Sequence, residues 1–193
     1  MELLHRINAA WPSTPYPGDH VLSDCWCDEC QFSVSSLRGK TWPELAIEDT
    51  NSETCQLNSR AFLYYLPALL TLSLRYPDEV HLPCLINGRF IRCDKAPSKD
   101  DAEVHELLGR LSKAQKHVLS DYLDWLASQG WQPLLLIEPA KVALATGRVE
   151  PYSYDEMMRW CRNREREIRA EQTVAVERRN RACSDGKSTP AAH

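Results

Sequence analysis

The sequence predicts a mainly α-helical, single-domain bundle with a protruding C-terminal helix. The first observation is an almost uninterrupted apolar run from Leu57 to Pro77. The second is an amphipathic stripe between Ala114 and Leu126, in which apolar side chains recur at helical spacing. The third is a strongly charged, Arg-rich segment that begins near residue 153. Together they indicate a buried central helix, an amphipathic helix packed against it and a solvated helix at the end.

The apolar run is predicted to be the central helix. Asn58 or Ser59 can cap its N-terminus, because a short side-chain oxygen accepts a hydrogen bond from an unpaired backbone N–H. Only 14 residues separate Arg60 from Arg75, whereas a helix that spans a membrane needs about 20. Pro67 removes one intrahelical hydrogen bond, so a kink is expected there. The run is therefore typical of a core helix.

Three capping boxes mark the starts of other helices. In each, a Ser or Thr stands three positions before a Glu or Gln, and the two side chains can satisfy backbone N–H groups reciprocally. The boxes occupy residues 41–44, 112–115 and 153–156. The third is expected to open a long helix that ends at about Ala182.

Glycines mark helix ends. Gly39 is predicted to end a helix over residues 31–38, because a glycine readily adopts the left-handed conformation found there. Gly147 is predicted to end a helix over residues 139–146, which starts with a proline as helices often do. The segment over residues 131–137 is short and apolar, and we expect it to have an extended backbone conformation.

The segment from Val80 to Cys93 carries a strand signal. Asn87 and Gly88 stand between apolar flanks, a pattern typical of a tight hairpin turn. Pro83 cannot donate to a ladder, so an edge position is expected. We therefore predict a small β-hairpin over about residues 80–93, with a helical or irregular path as the alternative.

Charge divides the chain into an acidic body and a basic extension. Residues 1–154 carry 14 basic and 20 acidic side chains, whereas residues 155–182 carry 8 arginines and 6 acidic side chains. The predicted organisation is a helical core domain over residues 1–152, an Arg-rich helical extension over residues 153–183 and a disordered tail over residues 184–193.

Composition also bears on partners and compartment. The net charge of -4 makes nucleic acid an unlikely default partner. Glutamates interleave with the arginines of the extension, which indicates a self-neutralised exposed helix and not an RNA-binding one. No membrane span and no signal-peptide pattern is found, so a cytoplasmic protein is predicted. The chain has eight cysteines. In the cytoplasm we expect them to be free thiols or metal ligands and not a framework of disulfides.

A dense group of cysteines carries the strongest chemical signal. Cys25, Cys27 and Cys30 combine C-x-C and C-x-x-C spacings, and zinc prefers four thiolate or imidazole ligands in a tetrahedron. No second C-x-x-C supplies the remaining ligands, so the candidate zinc site consists of these three residues and His20, with Cys55 as another candidate ligand. Unbound thiols and a redox pair at the head of a helix are the alternatives.

No catalytic residue is predicted. The chain contains no G-x-S-x-G, P-loop, G-x-G-x-x-G or H-E-x-x-H pattern. No local signature places a histidine beside a cysteine, as a thiol nucleophile would need. An enzyme with a cleft beside Pro67, lined by Tyr64, Tyr65 and histidines, is the enzymatic alternative.

Four motifs carry a resemblance to a known family. They are C-D-E-C at 27–30, G-K-T-W at 39–42, A-F-L-Y-Y-L-P-A-L-L at 61–70 and L-S-K-A-Q-K-x-V-L-x-x-Y-L-x-W-L at 111–126. Over roughly residues 20–128 the chain resembles a widespread group of small bacterial proteins of unknown function, marked by a C-x-E-C element and a "YYLPA" core helix. Cys25 and the Arg-rich extension depart from that pattern.

The resemblance implies no reaction and no cofactor. Small bacterial proteins of this kind often accompany secreted or contact-dependent toxins as immunity partners, which is an association and not a property of particular residues. We therefore predict a non-enzymatic cytoplasmic protein-binding protein, an immunity protein that neutralises a cognate toxin. The alternative is a zinc-stabilised domain with a regulatory or scaffolding role.

Overall fold

The chain is mainly α-helical and divides into two compact units, Met1–Ser153 and Tyr154–His193. The computed structural model describes residues 2–12, 15–50, 57–77, 79, 82, 86, 88–93, 99–129, 134–149 and 151–185. In this part of the chain, no helix is long and apolar enough to cross a membrane. The predicted mainly α-helical fold class is confirmed.

The first unit contains six of the helices that the structure describes. They are α1 (Glu2–Ala10), α2 (Asp28–Ser33), α3 (Ser59–Arg75), α4 (Lys99–Arg110), α5 (Lys113–Gln129) and α6 (Leu134–Thr146). Short 3-10 turns lie at Asp19–Val21, Ser35–Leu37, Trp42–Glu44 and Ile47–Asp49. Two short strands, β1 (Arg92–Cys93) and β2 (Pro151–Tyr152), pair in parallel.

Helix α3 is the centre of the core, as predicted. The Asn58 side chain accepts a hydrogen bond of 2.9 Å from the backbone N–H of Ala61, which confirms the predicted cap. Twelve of the 17 residues of α3 are buried, and the helix continues through Pro67. Burial on nearly all sides is what its apolar sequence requires. Helices α1 and α4 and the turn at Trp42–Glu44 pack against it.

Helix α5 begins at the predicted capping box. The Ser112 N–H donates to Gln115 Oε1 at 2.9 Å, and the Gln115 N–H donates to Ser112 Oγ at 3.2 Å. Its buried side chains are Val118, Leu119, Tyr122, Leu123 and Leu126. The helix packs mainly against α1 and α6, whereas we expected α3 to be its main partner.

The predicted hairpin over residues 80–93 is wrong. Leu82, Ile86 and Gly88 are helical, and β1 pairs with β2 instead of with residues that precede it. The other residues of the expected turn, among them Asn87, lie outside the described residues. Leu82 and Ile86 are fully buried, so packing of the apolar side chains overrides the local turn signal.

Two other boundaries differ from prediction. Residues 134–137 belong to α6 and are not extended, because a short buried apolar run does not distinguish a helix from a strand. The helix expected over residues 31–38 is instead α2 followed by a 3-10 turn. Gly39 still closes this segment, with a φ of +71° that favours glycine.

The second unit contains α7 (Tyr154–Asp185), a helix of 32 residues. Its length agrees with the predicted long helix. Arg164 Nη1 donates to Glu167 Oε2 at 3.0 Å, which is one pair of the self-neutralising kind expected from the interleaved charges. Residues 186–193 lie outside the described residues.

Candidate metal centre

The cysteine cluster is built where a loop enters α2. Cys27 is the N-cap of this helix and has an extended backbone conformation, with a φ of -69° and a ψ of 153°. Cys30 lies three residues further on, in the first turn, so the two side chains lie on the same side of the helix start. The Gln31 side chain donates to the carbonyl of Cys25 at 2.6 Å, which folds the loop back over α2.

The three sulfur atoms form one compact group. All lie within 4.8 Å of one another, and the Sγ atoms of Cys25 and Cys27 are 3.2 Å apart. None of the three is in a disulfide; Cys25 and Cys27 are exposed and Cys30 is buried. Sulfurs that each lie about 2.3 Å from a tetrahedral zinc ion are about 3.8 Å from one another. Small side-chain rotations would therefore bring the three sulfurs to zinc-ligand spacing.

The pKa values of the Cys27 and Cys30 thiols are shifted in opposite directions. The backbone N–H of Cys30, followed by the thiol of Cys25, lowers the pKa of Cys27, because both stabilise its thiolate. The side chains of Cys25 and Cys27, followed by burial, raise the pKa of Cys30 to about 12. A cation between the sulfurs would offset their mutual repulsion and favour three thiolates.

The cysteine loop is tied to the start of α3. The Asn58 N–H donates to the carbonyl of Leu22 at 2.9 Å, and the Asn58 side-chain amide donates to Asp24 Oδ1 at 2.8 Å. Leu22 is fully buried. The loop is thus anchored to the core just before the cysteines begin, while the cysteines themselves lie near the surface.

His20 lies in the 3-10 turn that precedes the cysteine loop. Its imidazole is exposed and lies against Gly18, where an added Cβ would be 2.9 Å from His20 Cε1. Among the described residues, the group of ligand atoms within 4.8 Å consists of the three thiols and does not include His20. Cys55, the other candidate ligand, lies outside the described residues.

Two exposed aromatic side chains lie within or just after the cysteine segment in the sequence. Trp26 is 70% exposed and Phe32 is 75% exposed, the largest fractions among the bulky apolar side chains that are described. Asp28 and Glu29, also exposed, lie between them in the sequence. Sequence reasoning did not identify these aromatics. The available signal was their position among charged residues and cysteines, where no apolar periodicity requires them.

The tyrosines of α3 have structural partners. The Tyr65 hydroxyl lies 2.9 Å from the carbonyl oxygens of both Leu37 and Lys40, and burial raises its pKa. The Tyr64 hydroxyl accepts from the Trp42 N–H at 3.3 Å. A cavity of about 320 Å³ adjoins Tyr64, and none of its lining residues is a histidine. Tyr64 therefore lines this cavity, whereas Tyr65 does not.

Comparisons of the chain with models of protein families, with curated proteins and with solved structures find no match. The candidate site is therefore described from its own residues. They are three thiols at a spacing that could hold a metal ion, on an anchored surface loop whose sequence also carries two exposed aromatic side chains.

Proposed function

We propose that this chain binds a zinc ion through Cys25, Cys27 and Cys30, and that the ion stabilises the surface segment around α2. The observation that carries the proposal is the group of three sulfurs within 4.8 Å of one another, without a disulfide. Thiolates are preferred ligands of zinc, and a C-x-x-C at a helix start presents two of them together.

The length of α2 supports a structural role for the ion. The helix has only six residues, and a helix this short is marginal in water without tertiary support. An ion that joins Cys25 in the loop to Cys30 in the first turn would link the two parts of the segment. Because such a site does not exist in the unfolded chain, the binding free energy would stabilise the fold. A regulatory or scaffolding role without catalysis fits a site of this kind.

Metal analysis of protein purified without chelator tests the proposal. We expect close to one zinc per chain, and a content below about 0.2 would overturn it. Cys27→Ser and Cys30→Ser should abolish retention of the metal and lower the melting temperature. Cys161→Ser is the matched control, because Cys161 is an exposed free thiol outside the cluster. An unchanged melting temperature in both cluster variants would contradict a structural role.

His20 remains the predicted fourth ligand. Substitution by cobalt gives a visible spectrum whose intensity and position depend on the number and type of ligands. We expect His20→Ala to alter the cobalt spectrum and weaken zinc binding. An unaltered spectrum would show that His20 is not a ligand.

A second proposal is that the segment from Trp26 to Phe32 binds another protein. The supporting observation is the exposure of both aromatic rings, since exposed aromatic side chains often mark interaction sites. Their acidic neighbours would favour a basic partner. That the partner is a toxin, and the chain its immunity protein, rests on the sequence resemblance alone.

Co-purification with the product of the neighbouring gene tests the second proposal. We expect a stable complex at micromolar concentration, and Trp26→Ala with Phe32→Ala should weaken it. The matched control is Tyr76→Ala, which removes an aromatic ring that is 46% exposed at the end of α3. Absence of any complex would count against a protein-binding role in that pair.

A further inference from the structure

A cavity of about 510 Å³ lies between α5 and α6, outside the residues of the cysteine cluster. Four of its lining residues occupy one face of the first two turns of α5, at the spacing i, i+3, i+4 and i+7. They are Lys113, Lys116, His117 and Ser120. Helix α6 contributes Lys141, Leu144 and Ala145. Every polar side chain of this lining can donate a hydrogen bond, and none is acidic.

The three lysines of the cleft differ in whether they form ion pairs with acidic side chains. Lys141 Nζ lies 2.8 Å from Asp124 Oδ1 and 3.8 Å from Glu138 Oε1, so it is held in place and partly neutralised. Within the described part of the chain, neither Lys113 nor Lys116 forms an ion pair. Two ammonium groups therefore line the cleft without an ion-pair partner among the described residues, in a core that is acidic by composition.

The position of Lys113 adds a second source of positive potential. It is the first residue of α5, a helix of 17 residues, and the N-terminus of a helix carries partial positive charge. The Gln115 N–H at this helix start already donates to Ser112 Oγ, so the helix start contributes mainly positive potential. A tetrahedral oxyanion can accept from several donors at once, which suits a helix start flanked by lysines. Leu144 is 4% exposed and forms an apolar wall of the same cleft.

We propose that this cleft binds a phosphoryl-bearing small organic molecule. Its phosphate lies against Lys113, Lys116 and the start of α5, and its organic part lies against Leu144 and Ala145. The cavity volume falls within the range of about 300 to 1,000 Å³ that is usual for small-molecule sites. The proposal uses none of the residues of the zinc site or of the aromatic pair, so it is independent of both.

Titration of the full chain with AMP, pyrophosphate and inorganic phosphate, followed by amide NMR, tests the proposal. We expect saturable shifts at residues 113–120 and 141–145, with AMP bound more tightly than inorganic phosphate. No saturable shift at millimolar probe would overturn the proposal. Equal affinity for AMP and inorganic phosphate would overturn the part that concerns the organic group.

Variants that remove positive charge distinguish binding in the cleft from general electrostatic attraction of the phosphate to the protein surface. Lys113→Gln with Lys116→Gln should weaken AMP binding by about tenfold or more, because two charge-assisted hydrogen bonds are lost. The control is Arg60→Gln with Arg75→Gln, which removes the same two charges from the exposed ends of α3, outside the lining of the cleft. Equal weakening in the control would overturn the proposal. Ala145→Glu is a second variant that places an acidic group in the cleft, and undiminished AMP binding by it would also overturn the proposal.

Discussion

The Sγ atoms of Cys25 and Cys27 lie 3.2 Å apart and are not joined by a disulfide. If zinc occupies this group, its thiolates are engaged and react slowly with an alkylating reagent, because the free thiolate is the nucleophile. We expect saturating zinc to slow iodoacetamide labelling of both cysteines by about tenfold or more. Labelling of Cys161 should not change. Peptide mass spectrometry after timed quenching measures all three rates.

A chelator provides the reverse experiment. Its addition should restore the labelling rates of Cys25 and Cys27 to those of the metal-free protein. Equal protection of Cys161 by zinc would indicate an effect on the reagent and not on the cluster. No protection at either cluster cysteine would contradict the zinc proposal.

The aromatic pair beside the cluster should matter for binding and not for stability. Trp26→Ala and Phe32→Ala should each change the free energy of unfolding by less than about 0.5 kcal/mol, as exposed positions generally do. Phe62 is fully buried in α3, and its substitution by alanine should cost about 3 to 5 kcal/mol. Urea denaturation measures these differences. A large loss in Trp26→Ala would mean that this ring is packed in solution.

A buried hydroxyl pair joins α3 to α5. Ser73 Oγ and the Tyr122 hydroxyl lie 2.7 Å apart, and both residues are fully buried. Ser73→Ala and Tyr122→Phe should each cost about 1 kcal/mol, because each removes the shared hydrogen bond. The double variant should cost less than the sum of the two. Strict additivity in a double-mutant cycle would contradict this coupling.

Asp19 should titrate at an unusually low pH. Its carboxylate accepts from the Tyr16 hydroxyl and, at 2.9 Å, from the N–H of Gly39. These two bonds, the Tyr16 bond first, lower the pKa of Asp19. A lowered folded-state pKa means that the bonds stabilise the fold above the unfolded-state pKa. Their contribution is lost as the pH falls through the folded-state pKa.

An NMR titration of the Asp19 carboxyl carbon measures this pKa. Tyr16→Phe should raise it towards its ordinary value, since the largest cause of the shift is removed. Titration of Asp19 at its ordinary pKa in both proteins would contradict the hydrogen-bonded arrangement.

Local signals account for the elements that were predicted correctly. The Asn58 cap of α3 and the reciprocal Ser112 and Gln115 bonds of α5 involve residues three positions apart. Their geometry is therefore nearly determined by the sequence itself. The cysteine cluster was predictable for the same reason, since its members lie within six residues of one another. The expected hairpin at Asn87 and Gly88 failed because a turn signal of two residues does not outweigh burial of the flanking side chains.

Local sequence patterns were enough to predict the helical fold class, the central helix and the three thiols of the candidate metal centre. The surroundings of these features depend on the tertiary packing. It left Trp26 and Phe32 exposed, although both are large apolar side chains that a composition rule would bury. It also brought Lys141 to the lysines of α5, across a cleft between two helices. These relations depend on the packing of distant segments, and packing is set by the shape of the whole core and not by local spacing.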